Sequence, residues 1–196
     1  MAQTYVALDL ETTGLDPLRD AIVEVGAVKF RGEQVLETYS SFVNPGRRIP
    51  PEITELTGIT DEDVAGAPSV HAVLDRLARF VEDMPLVGHS IGFDLGFLHQ
   101  RSPVFRNPAY DTFELAGVLL PDAERFSLTE LTKRFDVGVE HAHRALADAL
   151  ATQRLFGVLC QRATALPVRL LKEIVAHGTR AGWEATGFFR AALEQV

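Results

Sequence analysis

Apolar residues change their spacing along this chain, and each change predicts an element. Tyr5-Val6-Ala7-Leu8 is a short apolar run leading straight into Asp9-Leu10-Glu11, the pattern of a buried strand with a polar end. Ala21 to Phe30 (AIVEVGAVKF) is β-branched and strand-like. Arg31-Gly32-Glu33 then reads as a hairpin turn and Gln34 to Val43 as the returning strand, so an antiparallel meander opens the chain.

The period then becomes helical. Asn44 to Pro51 holds three prolines and is a loop, and Glu52 to Leu56 fits one helical turn closed by Gly58. Val70, Val73, Leu74, Leu77, Phe80 and Val81 recur at the helical spacing over Pro68 to Asp83, before Pro85 stops the run. Leu86 to His89 predicts a short buried strand, and Ile91 to Gln100 a helix. Thr112 to Leu120 is a further helix capped by Asp111. Ser127 to Phe135 opens on Ser-x-x-Glu, a capping-box pattern. Ala142 to Ala165 is a long helix. Pro167 to His177 is amphipathic, Gly178 and Gly182 interrupt it, and Trp183, Phe188 and Phe189 follow. The order predicts an α/β domain over residues 1–165: a mixed sheet, antiparallel meander plus parallel strands, flanked by helices. Residues 166–196 read as an appended helical segment or connector.

Composition narrows the class. At 196 residues with 46% apolar content, one domain with a full core is expected. The 27 acidic against 19 basic side chains argue against coating long duplexes by charge alone, though not against a nucleic-acid enzyme with a small footprint. The single cysteine, Cys160, excludes an internal disulfide and suits a reducing compartment. No leader pattern precedes the first strand and no apolar run approaches membrane-spanning length. A soluble, cytoplasmic protein without a membrane partner is expected.

Three acidic sites carry candidate chemistry. Side chains alternate across a strand, so Asp9 and Glu11 leave one face about 7 Å apart. Two such carboxylates repel unless a cation lies between them, and a hard divalent ion meets that need. A strand end fraying into the Thr12-Thr13-Gly14 turn would show the same residues. Asp94 stands among Phe93, Leu95, Phe97 and Leu98, where a carboxylate must be paired, hydrogen-bonded or metal-associated, or favoured by a helix dipole. Asp148 lies between Ala147 and Ala149, small neighbours that permit close approach. Two histidines precede it. On a continuous helix His141 shares its face and His143 lies about 140° round; if the helix starts near Arg144, His143 is free to swing over the site. Spacing alone leaves both open. Four carboxylates and a histidine are the parts of two-metal phosphodiester hydrolysis. Two ions about 4 Å apart activate a water and stabilise the leaving oxygen, and a histidine with a pKa of about 6.5 takes the proton.

Three motifs, D-L-E-T-T-G, G-H-S-x-x-F-D-x-x-F-L and H-R-A-L-A-D-A, resemble in order and spacing those of the DnaQ-like, DEDDh family of 3′–5′ exonucleases, over roughly Thr4 to Leu159. The resemblance extends to polymerase III ε-subunit and PolC-type proofreading domains and to the exonuclease domain of DinG-like helicases. It implies an RNase H-like fold, two Mg²⁺ or Mn²⁺ ions held by Asp9, Glu11, Asp94 and Asp148, and release of 5′-mononucleotides from 3′ ends. Asp9 would bridge the ions and Asp94 would act largely through water. The family's H-x4-D spacing selects His143 over His141 as general base. Thr12 and Thr13 would border the terminal nucleotide, and His89 of the second motif would lie on the substrate side. Glu52 matches a nucleotide-gripping Glu of the proofreading subunits, whereas Thr57 replaces the His and Ser90 the Asn usual after His89. Phe93 and Phe97 are candidate base-stacking residues for either sugar type. The implied role is proofreading or repair, with single-stranded DNA 3′ ends preferred and a polymerase or helicase partner, fused or separate. RNA 3′-end trimming and a non-catalytic docking module on the same fold are the alternatives.

Overall fold

The computed structural model describes residues 3–138 and 143–196. Its centre is a five-stranded sheet in the order β3-β2-β1-β4-β5. Strands β1 (Tyr5–Thr12), β2 (Ile22–Arg31) and β3 (Gln34–Phe42) form the expected antiparallel meander. The short strands β4 (Leu86–Gly88) and β5 (Ala109–Asp111) run parallel to β1. The carboxyl ends of β1, β4 and β5 therefore emerge at one edge of the sheet.

Helices cover both faces. In chain order they are α1 (Pro51–Thr57), α2 (Asp61–Ala65), α3 (Val70–Val81), α4 (Gly92–Arg101), α5 (Thr112–Leu119), α6 (Leu128–Arg134), α7 (Ala145–Thr164), α8 (Val168–Ala181) and α9 (Thr186–Leu193). Val6, Leu8 and Leu10 of β1 point into a cluster with Val73, Leu77 and Phe80 of α3 and Phe97 of α4. Ala7, one residue out of phase, joins the opposite cluster with Leu155, Phe156 and Leu159 of α7. Because strand side chains alternate, Asp9 and Glu11 continue the Ala7 face and look toward α7. The alternation puts the paired carboxylates on the one helix that carries Asp148.

The expected caps are present. Asp111 accepts from the Phe113 N–H, Ser127 from the Glu130 N–H, and Gly58 closes α1 in the left-handed conformation (φ 72°). Four elements differ from the sequence reading. α7 starts at Ala145; Arg144 is extended, and the expected start at Ala142 lies outside the described residues. Gly178 does not interrupt its helix, since α8 runs through it to a left-handed cap at Gly182 (φ 65°). A side chain at Gly178 would strike Thr186 and Trp183, so its missing Cβ is what lets α8 lie on the turn before α9. The short β5 and α2 carry too few periodic residues to register as elements. Among the described residues no helix is long and apolar enough to cross a membrane.

The C-terminal helices share the α7 core. Phe188 and Phe189 of α9 are buried in the same cluster as Phe156 and Leu159.

Candidate active site

Asp9, Glu11 and Asp148 converge. One carboxylate oxygen from each lies within 4.8 Å of the others. Two come from the half-buried face of β1 and the third from the first turn of α7. That helix can approach because β2 has Gly26 opposite Asp9. A Cβ on Gly26 would overlap the backbone of Ala145 and Leu146, so the start of α7 rests directly on the strand.

Asp94, in the first turn of α4, lies outside that converging set, but its charge bears on Asp9. It is 3% exposed, and its Oδ1 accepts the Leu10 N–H at 3.0 Å. Val6 donates to Pro85 next to β4; Leu10, two pleats further along, lies past the end of β4, and the Asp94 carboxylate supplies the acceptor the strand no longer offers. One Asp94 oxygen is thus committed to the backbone.

Burial and like charge dominate the electrostatics of the cluster. Burial, then the charges of Asp94, Glu11 and Asp148, push the Asp9 carboxyl well above the usual carboxylate range. Burial and the neighbouring Asp148 and Glu24 raise Glu11 to about 7, against a smaller lowering by Arg144. Burial raises Asp94 to about 8 despite its backbone hydrogen bonds. Asp148 is raised by burial, offset in part by the His143 N–H. Carboxylates crowded at this spacing stay ionised together only beside added positive charge. Three carboxylates with converging oxygens form a donor set that fits a hard divalent cation.

His143 stands before α7, not on it. Its φ is 65°, its side chain is exposed, and its N–H donates to Asp148 Oδ2 at 3.0 Å. This is the pre-helix position that frees the imidazole to swing. His141 lies outside the described residues.

The remaining predicted residues fall into two groups. His89 is at the end of β4, where the sheet register places it level with Asp9. Its Nδ1 meets Thr112 Oγ1 at 2.9 Å, and that hydroxyl donates to the Gly88 carbonyl. Burial lowers the His89 pKa, against smaller raising effects of Asp111 and of a hydrogen bond to the Phe126 backbone. Phe93 is half-buried beside Phe97, with ring centroids 5.0 Å apart. Phe97 itself is fully buried, which removes it as a base-stacking surface. Its place on the core face of α4 was not separable from Phe93 by spacing.

Thr12 and Thr13 are buried and shape the strand-end turn. Thr12 Oγ1 donates to Gly14 O at 2.6 Å, and Thr13 Oγ1 accepts the Ala21 N–H at 2.9 Å. Glu52 is exposed on α1. Thr57 is buried, with its hydroxyl donating to Ile53 O and accepting the Ile59 N–H. Among the described residues no hydrogen bond ties Glu52 or Thr57 to the acidic trio. Ser90 adopts φ 61°, held by its N–H on Asp111 Oδ1 at 2.8 Å. Asn tolerates that left-handed conformation better than most residues, which gives a backbone reason for the family's usual Asn.

Sequence reasoning missed Glu24. It sits opposite Glu11 on β2 and is 2% exposed. The Arg144 guanidinium donates to it through Nε and Nη2, at 3.1 and 2.8 Å, and the Ala145 N–H donates at 3.0 Å. The available signal was a lone carboxylate inside the apolar run IVEVGAV, where an unpartnered charge is costly.

The RNase_T exonuclease family model matches residues 6–156. The chain is 39% identical over 163 residues to a PolC-type DNA polymerase III of Lactococcus lactis, covering 81% of this chain and 10% of that protein. It is 34% identical over 181 residues to the PolC-type polymerase of Bacillus cereus, covering 90% and 12%. It thus spans roughly a tenth of the length of these relatives. Among solved structures, Exonuclease X in complex with 5′ overhanging duplex DNA matches with a TM-score of 0.69 at 26% identity, over 80% of this chain and 91% of that one. The zinc-bound E. coli ExoI–ssDNA complex shares the fold, with a TM-score of 0.75 at 22% identity over 92% and 45%. On the family match and the PolC-type identity, the chain belongs to the RNase_T exonuclease family.

Proposed function

We propose that this chain is a metal-dependent 3′–5′ exonuclease that removes 5′-mononucleotides from DNA 3′ ends, with single strands preferred, in the service of a cytoplasmic DNA polymerase. The convergence of Asp9, Glu11 and Asp148 on one point, with His143 hinged beside it, carries this reading. The DNA substrate and polymerase context rest on the PolC-type relatives and on the DNA-bound Exonuclease X.

Asp9, Glu11 and Asp148 would hold the divalent ions, Mg²⁺ or Mn²⁺, with Asp94 contributing through its uncommitted oxygen. Such a metal pair, when bound, lowers the pKa of the attacking water and offsets charge on the leaving oxygen. The chain's own residues do the rest. His143 accepts the proton of the attacking water, and its exposure allows that proton to pass to solvent. Asp148 holds the His143 N–H through Oδ2. Thr12 and Thr13 set the strand-end turn whose backbone borders the terminal nucleotide. Phe93 offers one ring face for base stacking, and His89 and Glu52 lie on the substrate side. Thr57 acts by shaping the end of α1. Chemistry is assigned to residues 1–165, with 166–196 as a helical extension.

The test uses a 5′-labelled and a 3′-labelled single-stranded DNA of one sequence, with Mg²⁺ and with EDTA. Expected are a ladder shortening from the 3′ end and labelled mononucleotide as the first product of the 3′-labelled strand. Label released first from the 5′ end, or cleavage persisting in EDTA, refutes the proposal.

A further inference from the structure

Glu24 takes no part in the hydrolysis proposed above, yet three donors converge on its buried carboxylate. Its neighbours explain why. The first N–H groups of a helix need acceptors, and α7 has no side-chain cap of its own at Arg144. Glu24, on a strand far away in sequence, accepts the Ala145 N–H in its stead, while Gly26 lets the helix start lie flat on that strand.

The same corner is tied from the other side. Asp148 Oδ2 takes the His143 N–H, and His143 sits in the left-handed region. That conformation is unfavourable for a residue that carries a Cβ, so the fold must impose it. Two carboxylates do so: Glu24 grips residues 144 and 145, and Asp148 grips residue 143. The Arg144 guanidinium adds a two-pronged ion pair that fixes the direction of the chain, and it lies over the Phe42 ring at 5.3 Å. A lysine cannot reproduce that fork.

We propose that Glu24 and Arg144 are a positioning pair: they set the backbone from which the His143 imidazole reaches the acidic trio, and they act on catalysis through His143. This rests on the reading of His143 as general base. Small misplacement of a catalytic group costs on the order of 10²-fold in rate, which gives the pair its expected effect.

The test is a double-mutant cycle on hydrolysis of a short single-stranded DNA, with hydrogen exchange of the metal-free protein as a second readout. Arg144→Met keeps an unbranched apolar side chain without the guanidinium; the Arg144 side chain is 43% exposed, so the variant is expected to fold. It should lower kcat about 10- to 100-fold with KM changed less than about threefold. Arg144→Lys should not restore the rate. In a His143→Ala background the Arg144→Met loss should shrink below about twofold, since the group being positioned is gone. Exchange should quicken over residues 143–148 and stay unchanged in β1 and β2. Glu24→Gln should repeat the pattern; if it unfolds, Arg144→Met decides alone. Unchanged kcat in Arg144→Met overturns the proposal even if exchange quickens. So does a loss of equal size in the His143→Ala background, which would place the pair's effect on the metal ligands or on folding. A fully active His143→Ala removes the general-base reading and the positioning pair with it. An impaired His143→Ala with additive Arg144→Met loss removes the pair alone.

Discussion

The two halves of α7 are held by opposite physics. Its first turn is polar and crowded: Asp148 faces Asp9 and Glu11, Glu24 caps Ala145, and a glycine lets the backbones touch. Its middle is aromatic. Phe156 packs within 5.2 to 6.3 Å, centroid to centroid, of Tyr5, Phe30, Tyr110 and Phe188. One end accumulates mutual repulsion that protonation or a bound cation would relieve. The other supplies burial that keeps the repelling end folded while it waits. Function and stability are therefore separable along one helix.

Substitutions at the two ends test that separation. Asp148→Ala has the largest expected effect: hydrolysis falls to background because a metal ligand is lost. Thermal stability of the metal-free protein is retained or raised, because a repelling charge has gone. A variant that unfolds, or one that keeps its activity, would show that the polar end is structural. His143→Ala comes next, at about 10²–10⁴ in kcat, the span of general acid–base catalysis; a smaller loss measured at saturating substrate points to another base. Phe156→Ala should do the reverse of Asp148→Ala. It should cost about 3–5 kcal/mol of stability in a denaturant titration, while kcat per folded molecule below the transition stays near wild type. A fall in kcat without loss of stability would break the comparison.

A smaller effect reports the repulsion itself. Glu11 and Asp94 have folded-state pKa values of about 7 and about 8, above their unfolded values. Their protonated forms favour the fold, so the stability they contribute is full at low pH and is lost as pH rises toward 8. In chelator, Tm should fall from pH 5.5 to pH 8, and added Mg²⁺ should raise Tm more at pH 8 than at pH 5.5. Glu11→Gln should flatten the slope. A Tm that rises over this interval in chelator contradicts the assignment.

Much of this was legible in the sequence, for stated reasons. The meander and the caps at Asp111 and Ser127 follow local rules that depend on few residues. The shared face of Asp9 and Glu11 follows from strand alternation alone. The start of α7 was not legible, because Arg144 and His143 leave the helix through contacts with Glu24 and Asp148, which local propensity does not see. Gly178 reads as a breaker from propensity, yet the packing of Trp183 and Thr186 against it keeps the helix whole. Phe93 and Phe97 look alike by spacing, and only the tertiary fold buries one of them. Glu24 stands out in sequence only as a lone carboxylate in an apolar strand run, and its partners Arg144 and Ala145 are far along the chain.

The central claim is that the polar end of α7 is a cation site completed by β1. Calorimetric titration of the metal-free protein with Mn²⁺ at pH 7.5, wild type beside Asp9→Asn, tests it without relying on turnover. The account predicts that Mn²⁺ binds the wild type and that binding is abolished or weakened at least about tenfold in Asp9→Asn, a ligand loss of the kind that disrupts a metal pair. Equal Mn²⁺ binding by both proteins would contradict it.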